Sequence, residues 1–260
     1  MLTDVQLAHF QTFGFVVLRQ LFTPKELEII KREFIDELER VYHHAPFDGT
    51  KRYYAVMLGS TTPFFASLLE DPRFCGVAEQ LYGEDTIGIA TDANRYVGNT
   101  GWHPDTGSYE QFGVKFAFYL QPVGPDRGAL RVIPGSCKQP YFGELREQMK
   151  TMNLAITDVP GHVCVSEPGD VVAFDLRTWH ASYGGSNDRW MCTCVYYNNP
   201  KTPEQEEVTR RQAVANKNVT AHFGRPGDTW LPSEWIANPK KSPKRQRWLD
   251  RMRELEFFDA

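Results

Sequence analysis

His103 and Asp105 stand two residues apart in GWHPDTG, residues 101–107. Residues at i and i+2 of an extended chain point to one face, so an imidazole and a carboxylate can converge there. A second imidazole, His180, lies in GDVVAFDLRTWHASYGGSNDRWMCTCVYY. This stretch reads as turn, strand, short connection, a strand start bearing His180, a Gly-Gly loop, and a strand beginning near Arg189. A hairpin of that kind returns Arg189 beside the strand of His180, while Ser182 shares the His180 face. The segment thus offers a metal ligand, an anion-binding guanidinium and a hydroxyl. His103, Asp105 and His180 together supply two imidazoles and one carboxylate. That set covers one face of an octahedron and leaves positions open, as a non-haem Fe(II) oxygenase requires. Zinc accepts the same three residues, although a closed structural zinc site takes four ligands, often thiolates. On spacing alone both metals stay open.

The elements that must position these groups are legible in the pattern. Thr3 with Gln6 reads as a capping box for a helix that runs to about Phe13 and stops at Gly14. Thr23-Pro24-Lys25-Glu26 reads as cap, first-turn proline and third-position acid of a second helix. Its stripe of Leu27, Ile30, Phe34, Leu38 and Val41 predicts packing on a sheet, with the Glu and Lys residues facing water. FVVLRQL between the helices reads as a short strand. From about residue 85 the texture changes to short β-prone runs: TIGIATDANRYV, VKFAFYLQPV, ALRVIP, HVCVSE, DVVAF, TWHASY and WMCTCVYY. Turns such as VGPDRG, PGD and GGSND join them, a pattern that suggests a sandwich, barrel or jelly roll. Helices are expected around Phe142–Met152 and in TPEQEEVTRRQAV. With no repeat, low-complexity tract or linker, residues 1–260 read as one domain. Its parts are a helical stretch at about 1–84, a β core at about 85–200 and a helical stretch at about 201–260.

Composition narrows the function classes. The 260 residues are 41% hydrophobic and 24% charged, which is ordinary for a globular protein with a sizeable core. A net charge of −4 argues against nucleic-acid or anionic-membrane partners. The one basic run, KKSPKRQRWLDRMR, reads as the solvated face of a C-terminal helix. No stretch of about 18 apolar residues suggests a membrane span, and no secretory signal is evident. Cys75, Cys137, Cys164, Cys192 and Cys194 are odd in number and lack a CxxC pair, which fits a reducing cytoplasm. His9, His43, His44, His162 and His222 are read as surface or structural residues. No GxSxG elbow, P-loop or dinucleotide fingerprint is present.

The ordered set WHPD, FYLQPV, GALRVIPGSCK, PGDVVAFD, WHAS and Arg189 closely resembles the phytanoyl-CoA dioxygenase family of Fe(II)/2-oxoglutarate oxygenases, over roughly residues 5–200. The resemblance implies a mainly β, α+β fold: a double-stranded β-helix (jelly-roll, cupin-like) core with N-terminal and flanking helices packed on one sheet. It implies that His103, Asp105 and His180 hold Fe(II), that Arg189 takes the distal carboxylate of 2-oxoglutarate, and that Ser182 assists it. A planar guanidinium suits that task because it can hold a carboxylate through two parallel hydrogen bonds. Asn94 is similar to a family position that contacts the co-substrate near its metal-bound end. Tyr53 with Tyr54, Arg95, Tyr96 and Trp102 lie in segments that resemble pocket-lining parts of the family, as substrate-contact candidates. Asp105 separates the pattern from related halogenases, which have a small residue there. Cys137 in PGSCK, where histidine is common, and HASY in place of HGSG depart from the family and bear on substrate choice.

The function so implied is oxidation of a C–H bond, by hydroxylation or another outcome, on a small metabolite or natural product. O2 and 2-oxoglutarate would be consumed, giving succinate and CO2. Two rivals stand beside it. A zinc-dependent hydrolase would use the same three ligands and have no need of Arg189 or Ser182. A non-catalytic jelly-roll binding protein would tolerate loss of the triad. The sequence leaves oligomeric state open.

Overall fold

The computed structural model describes residues 1–152, 154–185, 187–225 and 228–258. Ser186 of the predicted GGSND turn and the last two residues of the expected domain lie outside the described residues. Both predicted capping boxes form. Thr3 closes on Gln6 at the start of α1 (Asp4–Phe13), which ends at Gly14 with φ +79°. Thr23 closes on Glu26 at the start of α2 (Pro24–Val41). Between them runs β1 (Phe15–Leu18). After α2 come β2 (Tyr53–Val56), α3 (Pro63–Leu68) and α4 (Cys75–Tyr82).

On α2, Ile30, Phe34 and Leu38 are buried as the stripe predicts, each worth roughly 1.5–3 kcal/mol of burial. The expectation that every α2 glutamate faces water does not hold, since Glu33 and Glu37 are buried. Glu33 accepts the backbone N–H groups of Phe64 and Phe65 at 2.9 and 3.0 Å, which satisfies free donors in the first turn of α3. Glu37 takes Arg40 and the Thr61 hydroxyl.

The β core contains β3 (Ile87–Tyr96), β4 (Thr100–His103), β5 (Gly113–Tyr119) and β6 (Leu130–Val132). Helix α5 (Tyr141–Thr151) interrupts the series, and β7 (His162–Val163), β8 (Val171–Asp175), β9 (His180–Ser182) and β10 (Arg189–Tyr197) complete it. The strands form two sheets, one of six in the order β1-β8-β5-β10-β3-β2 and one of four in the order β4-β9-β6-β7. These antiparallel sheets with flanking helices make the predicted jelly roll, with β1 and β2 of the N-terminal part supplying the edges of the larger sheet.

Side-chain alternation divides the larger sheet into two faces. Val114, Phe116, Phe118, Cys192, Cys194 and Tyr196 pack outward under the helices. Ala117, Tyr119, Val172, Phe174 and Met191 point inward between the sheets. Toward β3 the inner face turns polar and carries Asp92, Asn94, Lys115 and Thr193.

The hairpin read between the strands of His180 and Arg189 is not formed. Strand β9 pairs with β4 and β6, whereas β10 pairs with β3 and β5. The Gly184–Gly185 loop carries the chain from one sheet to the other. Side-chain-free backbone is needed there, because a Cβ at Gly185 would meet Gly128 at 3.1 Å and the Arg189 guanidinium at 2.4 Å.

Beyond β10 come α6 (Pro203–Lys217), a 3-10 turn (Val219–Phe223), α7 (Ser233–Ile236) and α8 (Pro243–Glu254). The basic run is less solvated than expected: Trp248, Leu249 and Met252 of α8 are buried. Its cations tie α8 to the body, with Lys244 on Glu79 at 2.6 Å, Arg251 on Glu206 at 2.7 Å and Arg245 on Glu70. Among the described residues no helix is long and apolar enough to cross a membrane.

Candidate metal centre

Cross-strand register brings the two imidazoles together. His103 on β4 lies opposite His180 on β9, and their ring centroids are 4.4 Å apart. Asp105 sits just past the end of β4, where its backbone N–H donates to Leu176 O at 2.9 Å. One ligand atom from each of His103, Asp105 and His180 falls within 4.8 Å of the others.

The imidazoles are held by their far nitrogens. His103 Nδ1 lies 2.8 Å from Gly101 O and His180 Nδ1 lies 2.9 Å from Thr178 O. Each Nδ1 therefore carries the proton, which leaves each Nε2 lone pair free for a cation. Asp105 Oδ1 accepts from Lys115 Nζ at 3.2 Å, and Oδ2 is buried with no partner among the described residues. A buried carboxylate oxygen left without a donor is costly. Two free imidazole nitrogens and an orphaned carboxylate oxygen fit a divalent cation with open positions.

The electrostatics agree. Burial opposes ionisation of Asp105, but Lys115, His180 and His103 outweigh it and hold the carboxyl at about 2. Burial drives His180 down to about 4, against the pull of Asp105. Both groups are thus in their ligating forms near neutral pH. The His180 shift has a consequence for the metal-free fold. Its folded value lies below its ordinary value of 6.5, so the unfolded chain takes up this proton first. Above about pH 6.5 the group has no effect, and stability falls as pH drops from there toward 4. Thermal melts of the metal-free protein across this window are expected to slope downward toward acid, and the slope should shrink in His180→Asn.

Arg189 opens β10, is 0% exposed, and pairs in register with Tyr96. Its Nη2 donates to Ser182 Oγ at 2.9 Å and its Nη1 to Gly98 O at 3.4 Å, while Nε has no partner among the described residues. No carboxylate pairs with it among the described residues, and burial lowers its pKa. The buried hydroxyl of Tyr119 lies nearby. Gly128, at φ +67°, leaves room for this guanidinium, since a Cβ there would lie 2.3 Å from Nη1.

A cavity of about 410 Å³ opens beside Asp105. Asn94 and Tyr96 line it, and Asn94 accepts from Arg52 Nε at 3.0 Å while donating to Asp92. Arg95 and Tyr53 do not line it. They pair in register with each other on the opposite face of β3 and β2, where Arg95 binds Asp188 at 2.7 Å and Tyr53 stacks on Tyr42. The period of two puts Tyr54, one residue on, against the cavity instead. Trp102 lies outside it too, with its indole N–H on Ile156 O at 2.9 Å.

Sequence reasoning passed over Arg52, Asp92, Lys115 and Thr193, which also line the cavity. Asp92 shares the alternation of Asn94 and Tyr96, and Lys115 is the one charge within VKFAFYL, so both signals were available. Burial works against the Lys115 ammonium, but Asp105 and Asp92 overcome it and hold its pKa above the ordinary value. The far wall, with Gln212, Asn216, Phe223 and Trp230, comes from the segment after β10 and carries no motif.

The phytanoyl-CoA dioxygenase family model matches residues 10–190. Dioxygenase sphC of Aspergillus fumigatus is 27% identical over 165 residues, which cover 53% of this chain and 46% of that protein. The chain thus spans about half the length of that relative. Ectoine dioxygenase of Bordetella bronchiseptica is 22% identical over 258 residues, covering 80% of this chain and 82% of that one. Among solved structures, HygX from Streptomyces hygroscopicus with nickel and 2-oxoglutarate bound superposes with a TM-score of 0.60 at 20% identity. That match covers 75% of this chain and 87% of HygX.

Proposed function

This chain belongs to the phytanoyl-CoA dioxygenase family, and from that premise we propose that it is an Fe(II)- and 2-oxoglutarate-dependent dioxygenase. Its substrate in this reading is a small metabolite, oxidised at a C–H bond, with succinate and CO2 as co-products. His103, Asp105 and His180 hold the metal through two Nε2 atoms and a carboxylate oxygen. Iron(II) with 2-oxoglutarate, when bound, would supply the oxidising chemistry, with O2 as the oxidant both of the keto acid, which loses CO2 to give succinate, and of the substrate C–H bond.

The chain's own residues aim and seal. Arg189 and Ser182 take the distal carboxylate of the co-substrate. Ser182 stands two residues along β9 from His180, on the order of 7 Å by strand rise, a span that a five-carbon dicarboxylate can bridge. Lys115 bonds Asp105 Oδ1 and so fixes the carboxylate beside the metal. Asn94 lies toward the metal-bound end of the co-substrate. The segment after β10 walls the cavity against water, which supports treating residues 1–260 as one catalytic unit. All five cysteines are free and buried, which supports a reducing, cytoplasmic setting.

The observation that carries this reading is Arg189. It is a fully buried guanidinium without a carboxylate among the described residues, and it donates to Ser182, which stands two strand positions from His180. A zinc hydrolase has no use for it. The test is anaerobic titration of the Fe(II)-loaded protein with 2-oxoglutarate. A weak visible charge-transfer band that saturates supports the reading. Confirmed iron binding without a band sinks it and returns zinc hydrolysis or simple binding to the front.

The cradle around Arg189 gives a further expectation. Gly128→Ala places a methyl group on the guanidinium and strains a positive φ. The 2-oxoglutarate concentration at half-saturation should rise on the order of tenfold or more. Gly124→Ala in the same loop, where a Cβ meets nothing within 4 Å, should leave it unchanged.

A further inference from the structure

The cavity beside Asp105 holds a cation that neither the metal triad nor the Arg189 site employs. Arg52, just before β2, lines the cavity with Asn94, Tyr96 and Phe223. Its Nε donates to Asn94 Oδ1 at 3.0 Å and its Nη2 donates to the same oxygen. The Tyr96 ring lies 4.0 Å and the Phe223 ring 5.0 Å from its central carbon, and Tyr54 stacks on Phe223 at 4.7 Å.

A guanidinium has five N–H donors in one plane. Asn94 takes one from Nε and one from Nη2, so the edge formed by Nη1 and Nη2 keeps its donors. No carboxylate forms an ion pair with Arg52 among the described residues; its charge acts on Asp92, to which the Asn94 amide links it. The acids and the lysine of the same wall are already engaged. Lys115 lies 3.2 Å from Asp105, and Asp92 accepts from the Thr193 hydroxyl at 2.6 Å and from Asn94.

We propose that Arg52 recognises a carboxylate on the primary substrate, taken along its free Nη1–Nη2 edge. The inference rests on the dioxygenase reading, which gives 2-oxoglutarate to Arg189 and this cavity to the substrate. Two coplanar donors match two coplanar oxygens, which favours a carboxylate. The aromatic contacts hold the guanidinium in place before the ligand arrives, so less side-chain freedom is lost on binding. A volume of about 410 Å³ suits a small acid. Phe223 lies beyond the family-matched residues 10–190, so part of this specificity comes from the chain's own C-terminal segment.

The test uses the full chain loaded with Zn(II) and saturating 2-oxoglutarate, which occupies Arg189. Calorimetry then compares acids with their neutral amides: propionate with propionamide, phenylacetate with phenylacetamide, and N-acetylglycine with N-acetylglycinamide. At least one acid is expected to bind roughly tenfold or more tighter than its amide. Arg52→Gln should erase that preference and Arg52→Lys should keep part of it. Equal binding of every acid and amide by the wild type, or no binding of any acid, overturns the proposal without recourse to a variant. So does an acid preference that survives Arg52→Gln in a protein that melts as the wild type does. An Arg52-dependent preference in a protein whose Fe(II) form gives no 2-oxoglutarate band supports the carboxylate site and removes only the dioxygenase reading. A band with no acid preference does the reverse.

Discussion

His180→Ala is expected to abolish the visible band of the Fe(II)-loaded protein with 2-oxoglutarate and to take succinate formation down to background. Loss of a partner that only orients a metal ligand costs 10–100-fold, and His180 in this reading is a ligand itself, so a fall greater than about 100-fold is expected. The substitution also has a structural cost. His180 is buried and its Nδ1 holds Thr178 O at 2.9 Å, so alanine leaves that carbonyl unpaired beside a small void. Such a loss costs about 1–3 kcal/mol, which a protein of this size survives. Melting of the metal-free variant therefore separates the two effects. A variant that melts within a few degrees of the wild type, loads no iron and shows no band has lost a ligand. A variant that retains the band refutes the metal role of His180.

Arg189→Met is expected to weaken 2-oxoglutarate binding by about 2–5 kcal/mol, the usual loss when one partner of a buried charge pair is removed. The metal-free fold should meanwhile be as stable as the wild type or more so. The two expectations have one cause. The guanidinium is buried, and among the described residues its Nε lacks a partner and no carboxylate neutralises it. A charge so placed costs the empty fold free energy that an apolar side chain of similar length does not. Were Arg189 a structural strut, methionine would lower the melting temperature and leave 2-oxoglutarate affinity alone. Arg189→Lys keeps the charge without the planar fork, and its affinity should fall between the two.

Much of the scaffold was legible because its signals are local. The capping boxes at Thr3 and Thr23, the stripe on α2 and the Gly- and Pro-bounded strands each arise from neighbours within a turn or a pleat. The chemistry was legible for a related reason. His103 and Asp105 are close in the chain, and His180, Ser182 and Arg189 fall in a second short segment, so two windows carry the triad and the guanidinium. Glu33 shows the limit. Its polarity says surface, yet it is buried because two N–H groups of α3 need an acceptor, a demand created by an element thirty residues away.

What the sequence by itself determined is the set of reactive residue types, their order and the strands that bear them. Which strands neighbour one another was decided only in three dimensions. Strand β9 lies next to β4, and β10 leaves that sheet to pair with β3, because each strand must bury one face between the sheets and the glycines at 184 and 185 let the chain cross. The wall of the cavity was decided there as well. Alternation on β3 and β2 turned Arg95 and Tyr53 outward and Asn94, Tyr96 and Tyr54 inward, a choice that depends on which face the core covers. Arg52, Lys115 and Phe223 meet across three separate stretches of chain. No local pattern encodes that meeting, because long-range packing alone sets which side chains share a cavity.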